Sequence, residues 1–254
     1  MPAREEMLDR IRKALGRPAP SGSASDPEPA SLSAFKLDGI MPPIAPEESL
    51  LAFENEFKKV SGAPYRAATA IEFEQILRKI LTDAGAKSVV LTRNPLLGRV
   101  RLAERLRAWG MAANMWSESS AGAPRTTETK AYRDQCFAAE VGISGVDFVL
   151  AETGSLVLTS ETEGSQLASL APPIHVALYR REQVLSSLDD VLEQLRVSTR
   201  ADSPMPGRSM VFITGTSRTA DIEQILIRGV HGPREVHAIL VEESCLAELG
   251  AAQS

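Results

Sequence analysis

Ser209-Met-Val-Phe-Ile-Thr-Gly-Thr-Ser-Arg-Thr-Ala-Asp-Ile-Glu223 is the stretch of sequence that says most about the fold. Its first part, Met210–Thr214, is short, apolar and β-branched, which predicts a buried strand. Gly215-Thr-Ser217 interrupts the strand, and Thr219 is the expected N-cap of a helix over 219–228. In an open α/β sheet, ligand sites lie outside the carboxyl end of such a strand, so this turn is the first candidate site.

Strands and helices alternate through the rest of the body. The predicted helices are 47–60, 70–83, 95–109, 125–140, 181–196 and 243–249, and the predicted strands lie near Tyr65 and at 87–92, 111–116, 146–152, 155–160, 174–179, 209–214 and 236–242. This alternation predicts an α/β fold in which helices cover both faces of a mainly parallel sheet. The strands on either side of Thr153-Gly154 are expected to form a local antiparallel hairpin.

The N-terminal part differs in composition from the body. Met1–Leu15 carries one apolar stripe, which predicts a helix, and residues 17–46 contain seven of the sixteen prolines, which is typical of a flexible linker. We therefore expect residues 1–46 to form a helix and a linker, and residues 47–254 to form one α/β domain. Whether the helix folds back on its own domain or docks on a partner or a second copy of the chain stays open.

Charge and hydropathy argue against several classes of function. The net charge is −5 and the pI is near 5.4, so neither nucleic acid nor an anionic membrane surface is an expected partner. No apolar run approaches the roughly 20 residues of a membrane span. Because Met1–Gly16 is charged throughout rather than apolar, no secretory signal is indicated and a cytoplasmic protein is predicted.

Cysteine and histidine usage argues against a metal centre in this chain. Cys136 and Cys245 lie far apart and in no clustered motif, so the chain alone is not expected to hold a four-thiolate iron–sulfur cluster. His175, His231 and His237 share no helix-face spacing, so no zinc site is expected either.

The turn after Thr214 combines several groups that bind anions. Backbone N–H groups at a helix start, two hydroxyls and an arginine can together hold a carboxylate or a phosphate. The acid side chains in the first helical turn oppose a second anion, which favours a mixed polar site, and a capped turn without a ligand is the alternative. The candidate ligand-binding residues are Gly215, Thr216, Ser217, Arg218 and Asp221.

Glu152 ends an apolar strand and is followed by the turn Thr153-Gly154-Ser155. Partial burial at a sheet edge can shift the pKa of a carboxyl group, so Glu152 is the candidate acid, base or nucleophile. Thr153, Gly154 and Ser155 are candidate ligand-binding residues beside it. The alternative is that Glu152 only accepts hydrogen bonds from turn amides.

Two histidines are expected to have structural roles and not catalytic ones. His231 lies in a Gly/Pro loop, and a continuous helix over 219–228, about 15 Å long at ~1.5 Å per residue, would place it at the opposite rim of the sheet from Ser217. It is therefore expected to structure a loop or an interface. His175 follows Pro172-Pro173 and opens an apolar strand, where a hydrogen-bonded structural histidine is expected.

Five segments together resemble the LUD-domain family. They are Gly142-Ile-Ser-Gly145, Ala151-Glu-Thr-Gly-Ser-Leu-Val-Leu158, Pro173-Ile-His-Val176, Gly215-Thr-Ser-Arg-Thr-Ala-Asp-Ile-Glu223 and Gly229-Val-His-Gly-Pro233. The order and spacing of the last two are the most specific. The likeness covers roughly residues 47–242 and includes the N-terminal helix and linker, and Ser155 stands where the family is expected to have threonine.

The resemblance implies a three-layer α/β/α fold similar to those of ribose-5-phosphate isomerase, glucosamine-6-phosphate deaminase and the CoA transferases. It also implies a cytoplasmic role in oxidising L-lactate to pyruvate, with two partner proteins that carry iron–sulfur clusters. Glu152-Thr-Gly154 is similar in form to the glutamate–glycine motif of the CoA transferases, but a shared fold is weak evidence for shared chemistry.

We therefore expect a non-redox component of a lactate-oxidising system, without a cofactor of its own, that binds a small organic acid or a CoA-type ligand. Two alternatives stay open. One is a stand-alone acyl or CoA transferase with Glu152 as the nucleophile, and the other is a regulatory or scaffold subunit without an active site. A homo-oligomer also stays open.

Overall fold

The computed structural model describes residues 44–116, 125–199, 209–220, 226–229 and 231–251, and in the N-terminal segment only positions 7, 10 and 14. Those three positions are helical, and the rest of the helix predicted over Met1–Leu15 lies outside the described residues. The chain divides into Met1–Pro42 and Pro43–Ser254, and all elements below belong to the second unit. The domain boundary after residue 46 stays a prediction. Among the described residues, no helix is both long enough and apolar enough to cross a bilayer.

Strands and helices alternate along this unit, as the sequence predicts. The strands are β1 Gly62–Ala67, β2 Ser88–Leu91, β3 Ala112–Met115, β4 Val141–Ser144, β5 Phe148–Leu150, β6 Ser155–Thr159, β7 Ile174–Tyr179, β8 Val184–Leu185, β9 Met210–Ile213, β10 Arg218–Ala220, β11 Leu226–Arg228 and β12 Glu235–Val241. The helices are α1 Pro46–Lys59, α2 Ala70–Asp83, α3 Pro95–Arg99, α4 Leu102–Ala108, α5 Arg125–Ala138, α6 Ser160–Glu163, α7 Leu188–Thr199 and α8 Glu243–Ala251, with 3₁₀ turns at Gln166–Ser169 and Arg181–Gln183.

A six-stranded parallel sheet forms the centre of the fold, in the order β1-β12-β7-β4-β2-β3. β2 and β4 are neighbours, yet the chain leaves them in opposite directions. From β2 it continues to β3 at one edge, and from β4 it continues to β7, toward the other edge. Neighbouring strands with diverging connections form the switch point at which open α/β sheets bind ligands.

Helices cover both faces of this sheet, which confirms the predicted α/β class. On one face α2, α3, α4 and α8 bury side chains such as Leu77 and Leu106 against Val89, Leu91 and Ile143. The other face is covered by α1 and α5. Burial of these apolar surfaces supplies the main stabilising contribution to the fold, about 25 cal/mol per Å² removed from water.

A second, four-stranded sheet shares the α1 face, in the order β8-β5-β6-β9. β5 and β6 are antiparallel, which confirms the predicted hairpin. β9 pairs antiparallel with β6 at the edge of this sheet, and Phe212 is 43% exposed. The prediction that Met210–Thr214 is a buried strand of the parallel sheet is therefore wrong, because β9 is a half-exposed edge strand of the smaller sheet. The ligand-binding role of the turn that follows it stays a prediction.

The helix predicted over 219–228, with Thr219 as its N-cap, is also wrong. β10 and β11 form an antiparallel pair in which Arg218 lies opposite Arg228. The spacing of Ile222, Ile225 and Leu226 is helical in sequence, but β-branched residues also suit strands, and tertiary pairing overrides such weak local preferences. Residues 221–225 lie outside the described part of the chain.

Three other boundaries differ from the sequence prediction. Arg101 adopts a left-handed conformation (φ 51°) and divides the helix predicted over 95–109 into α3 and α4. The helix predicted over 181–196 begins only at Leu188, because residues 184–185 pair with β5 and Ser187 exchanges hydrogen bonds with Asp190. β4 was not predicted as a strand, since its sequence contains one glycine and is followed by another.

Candidate functional site

A cavity of about 230 Å³ lies at the switch point, between the loops that follow β2, β4 and β7. Apolar side chains of these loops form part of its wall. The polar and charged residues that line it are Asn94, Arg99, Asp147, Thr162, Arg180 and Gln183.

Asn94 links the end of β2 to the acidic side of the cavity. Its Oδ1 accepts the backbone N–H of Leu96 at 2.9 Å and so caps α3. This contact orients the amide so that Nδ2 donates to Oε1 of Glu163. Gly145, which follows β4, makes room for the amide, because a Cβ there would lie 2.1 Å from Cγ of Asn94.

Glu163, the last residue of α6, is a fully buried carboxyl group beside this cavity. Its backbone carbonyl accepts the N–H of Arg93, which fixes α6 beside the end of β2. Its Oε2 is buried and makes no hydrogen bond among the described residues. Burial raises the pKa of Glu163 to about 7, although the polar groups of Thr92, Asn94 and Gly145 beside it favour the charged form. This carboxyl group can therefore gain or lose a proton near neutral pH.

Asp147 is the second carboxyl group of the site and lines the cavity directly. Its Oδ2 accepts the N–H of Thr159 at 2.6 Å and the hydroxyl of Thr162 at 2.9 Å. The same hydroxyl lies 3.5 Å from Oε1 of Glu163, between the two acids. Burial raises the pKa of Asp147, and these hydrogen bonds oppose the rise.

Two arginines give the cavity its positive charge. Arg180 pairs with Glu182, and Nη2 of Arg99 lies 3.4 Å from Oε1 of Glu243. Both glutamates are more than half exposed (57% and 75%), and exposed ion pairs contribute only about 0–1 kcal/mol. A ligand anion can therefore compete for either guanidinium group.

Gln183 stiffens the wall that carries Arg180. Its Nε2 donates to the carbonyl of Val146 at 2.5 Å, and its Oε1 accepts the N–H of Arg180 at 2.7 Å. With both ends of its amide engaged, this residue fixes the loop after β7 against the loop after β4. The cavity thus combines two guanidinium groups with the hydroxyl of Thr162 and the carboxyl group of Asp147. This lining suits a small anion that also carries a hydrogen-bonding group.

The structure brings the two predicted turns together, although neither lines this cavity. Oγ of Ser155 lies 2.8 Å from Oγ1 of Thr153 and 2.6 Å from Oγ1 of Thr214. Gly154 has φ 63°, and a Cβ there would lie 2.3 Å from the backbone nitrogen of Phe57 in α1. These turns therefore dock on α1 side by side, and the ligand-binding role of Thr153, Gly154 and Ser155 stays a prediction.

Glu152 makes a structural contact. Its Oε1 accepts the N–H of Leu188, the first residue of α7, at 2.7 Å, and its own N–H donates to the carbonyl of Ser186. A carboxylate at a helix N-terminus is stabilising. Its predicted catalytic role stays a prediction, which mass spectrometry for a glutamyl adduct after incubation with an acyl-CoA would test.

The turn after β9 is also held against α1. The N–H of Thr216 donates to the carbonyl of Val60, where α1 has just ended, and Arg218 donates to Oγ of Ser61. A Cβ on Gly215 would lie 2.1 Å from the same carbonyl. Asp221 lies outside the described residues.

The predicted separation of His231 from Ser217 is wrong. The N–H of Ser217 donates to the carbonyl of Pro233 at 2.9 Å, and the N–H of Gly229 donates to the carbonyl of Ser217 at 3.0 Å. Because β10 and β11 form a hairpin, the chain returns to its starting point instead of crossing the sheet. The loop that contains His231 therefore packs against the Ser217 turn.

Comparison with known proteins identifies the family. The family model described as LUD domain matches residues 50–241, which is most of the chain and includes the strands β1 to β12. The chain belongs to the LUD domain family.

Relatives of this LUD-domain chain match it over nearly their full length. A protein named Lactate utilization protein C from Halalkalibacterium halodurans is 23% identical over 94% of this chain and 98% of its own. Lactate utilization protein C of Bacillus subtilis is 25% identical over 94% of this chain and 96% of its own. The protein named YkgG of Escherichia coli is 25% identical over 96% of this chain and its entire own length.

A solved structure supports the LUD-domain fold. The crystal structure of a DUF162 family protein from Deinococcus radiodurans matches with a TM-score of 0.52 and 21% identity, over 78% of this chain and 99% of its own. This likeness concerns the fold alone.

The sequence analysis did not predict this cavity of the LUD domain, although the sequence does indicate one of the loops that line it. Thr92-Arg-Asn-Pro95 follows an apolar strand directly, and an asparagine before a proline is a typical helix start. Glu163 could not be recognised in the same way, because its burial depends on contacts with residues that follow β2 and β4.

Proposed function

We propose that this protein serves lactate utilisation in the cytoplasm as a non-redox component that binds a small organic anion. The observation that carries the proposal is the switch-point cavity lined by Arg99 and Arg180, with Asp147 on its acidic side. The link to lactate rests on the names of relatives that align over 94% of the chain.

Partner proteins with iron–sulfur clusters are part of the proposal, because oxidation of lactate needs an electron acceptor. In this chain Cys136 and Cys245 are both buried and lie in different hydrophobic clusters. They do not fit a shared cluster site. Two iron–sulfur proteins of the same system would carry the electrons, and this chain would handle the acid or its carrier.

Growth on lactate tests the proposal. Deletion of the gene should abolish or strongly slow growth on L-lactate as sole carbon source while growth on glucose continues. The wild-type gene should restore growth, and a gene encoding Arg180→Gln should restore it poorly. Normal growth of the deletion strain on L-lactate would refute the proposal.

A pull-down tests the partners separately. The tagged full chain should retain the two iron–sulfur proteins from an extract of lactate-grown cells, as identified by mass spectrometry and by iron content. Failure to retain either protein under conditions that preserve the partners' own association would remove the partner part of the proposal.

A further inference from the structure

We propose that the switch-point cavity binds a small monocarboxylate with an oxygen on C2, a 2-hydroxy or 2-oxo acid, and that Glu163 takes up a proton when this ligand binds. The inference rests on the proposed function and makes it more specific. It concerns a group of residues that the sequence did not single out.

The arginine side of the cavity would hold the carboxylate. Arg180 and Arg99 come from different loops, and their present partners are exposed glutamates. A guanidinium group can bind a carboxylate through two parallel hydrogen bonds. Because exposed ion pairs are weak, a ligand carboxylate can replace the glutamate partner of either guanidinium group.

The acidic side would select the C2 oxygen. The hydroxyl of Thr162 and the carboxyl group of Asp147 line the cavity together. They can accept a hydrogen bond from a hydroxyl or, through Thr162, donate one to a carbonyl. Thr162 and Asp147 hydrogen bond to each other in the unliganded protein. An acid without an oxygen on C2 would displace solvent from both groups without offering either a hydrogen bond in return, and such uncompensated desolvation weakens binding.

Glu163 would take up a proton when the ligand binds. A bound anion and the loss of solvent from the cavity both disfavour the charged form of this buried carboxyl group. Because burial already raises the pKa of Glu163 to about 7, a further rise makes it take up protons near neutral pH. Ligand affinity should therefore increase as the pH falls through this range.

The groups that face Glu163 leave it as the main site of this uptake. Asp147, in the loop after β4, is the charged group that acts on Glu163. Tyr132 of α5 also interacts with Glu163, and burial raises the pKa of this tyrosine further above its usual value. Arg93, after β2, directs its guanidinium group to the backbone carbonyl of Glu161. Glu161 lies on the same helix and is exposed. Asp147 also has a raised pKa, so a substitution at Glu163 is needed to assign the proton.

The test measures binding to the full-length chain by NMR titration with L-lactate, pyruvate and propionate, where propionate has the same carbon skeleton but no C2 oxygen. Lactate or pyruvate should shift amide signals of residues 94–99, 145–148 and 180–183 and bind at least tenfold more tightly than propionate. Equal binding of propionate, or no binding of either C2-oxygenated acid, would overturn the inference.

Variants assign the roles within the site. Arg180→Gln should weaken binding at least tenfold, and Arg99→Gln provides a second test should the first variant fail to fold. Arg181→Gln is the matched control, because Arg181 pairs with Glu242 and does not line the cavity. Unchanged affinity in a folded Arg180→Gln variant would contradict the assignment of the carboxylate.

Calorimetry in two buffers of different ionisation enthalpy measures the proton. The wild type should take up a measurable fraction of a proton per ligand near pH 7, and Glu163→Gln should bind the ligand without that uptake. Uptake that persists in Glu163→Gln, or is absent from the wild type, would overturn the role of Glu163. Failure of all these binding tests alongside a lactate growth defect would remove this ligand site and leave only the role in lactate utilisation, so the two failures are distinguishable.

Discussion

Among single side chains, Glu163 is the one whose position is hardest to explain by stability alone. A fully buried carboxyl group is unfavourable when charged, even with a donor such as the Asn94 amide beside it. Packing an apolar residue there would be the simpler way to stabilise the fold. Perturbed acids of this kind in a cleft are typical of functional sites, which is why the cavity beside Glu163 carries the proposals.

Replacing Glu163 with glutamine should stabilise the protein at alkaline pH. Burial raises the pKa of Glu163 from 4.5 to about 7, so the wild type loses stability as the pH rises through this interval. The variant has no such loss and can keep the hydrogen bond from Asn94. We expect it to be more stable by on the order of 2 kcal/mol near pH 8 and to show no such advantage near pH 4.5, measured by urea denaturation.

Glu161→Gln is the matched control, because Glu161 lies on the same short helix and is exposed. It should leave the pH dependence unchanged. If Glu163→Gln were less stable than the wild type by the same amount at both pH values, burial would not be what shifts this carboxyl group.

Among the elements, the docking of α1 depends on close backbone approach at Gly154. This residue has φ 63°, and its Cβ would lie 2.3 Å from the backbone of Phe57. Gly154→Ala should therefore force α1 away from the β5–β6 turn and lower the free energy of unfolding by more than about 2 kcal/mol. Thermal and urea denaturation measure the loss.

Gly85→Ala separates this clash from backbone strain. Gly85 has nearly the same φ, 61°, but a Cβ there would meet nothing within 4 Å. Its replacement should cost only about 1–2 kcal/mol for the left-handed conformation. Equal losses in the two variants would mean that α1 does not approach Gly154 as closely as described.

Elements with strong local signals were predictable from sequence. α2 covers the predicted residues 70–83 and begins with a capping box formed by Thr69 and Glu72, and β7 is a fully buried apolar run. The β10–β11 hairpin was not predictable in this way, because its strands are defined by pairing with each other and by contacts of Ser217 with Gly229 and Pro233.

The candidate site was only partly accessible to the same reasoning. The sequence singled out the Glu152 and Ser217 turns as candidate sites, and the Ser155–Thr214 contact brings these turns together. The cavity at the switch point depends on the order of strands across the sheet, which no local pattern shows. With β4 unrecognised, the neighbours β2 and β4 could not be identified.

For the unit Pro43–Ser254 as a whole, acid should act on stability in two opposing ways. Protonation of Glu163 favours the folded state as the pH falls from about 7. His175 acts in the opposite direction. It is fully buried, its Nε2 lies 2.8 Å from Oγ of Ser144, and burial lowers its pKa to about 3. Burial also lowers the pKa of His237 on the neighbouring strand.

His175 should make the protein lose stability between about pH 6.5 and pH 5. In this range the unfolded chain binds a proton at His175 and the folded chain does not, so the contribution of His175 to the free energy of unfolding should fall by on the order of 2 kcal/mol. His175→Gln should remove this part of the pH dependence, whatever its effect on absolute stability. Urea denaturation across the range measures the slope, with His231→Gln, which replaces an exposed histidine, as the control. A slope that is the same in wild type and His175→Gln would mean that the buried ring can be protonated in the folded state. The contact between β4 and β7 at Ser144 would then be looser than described.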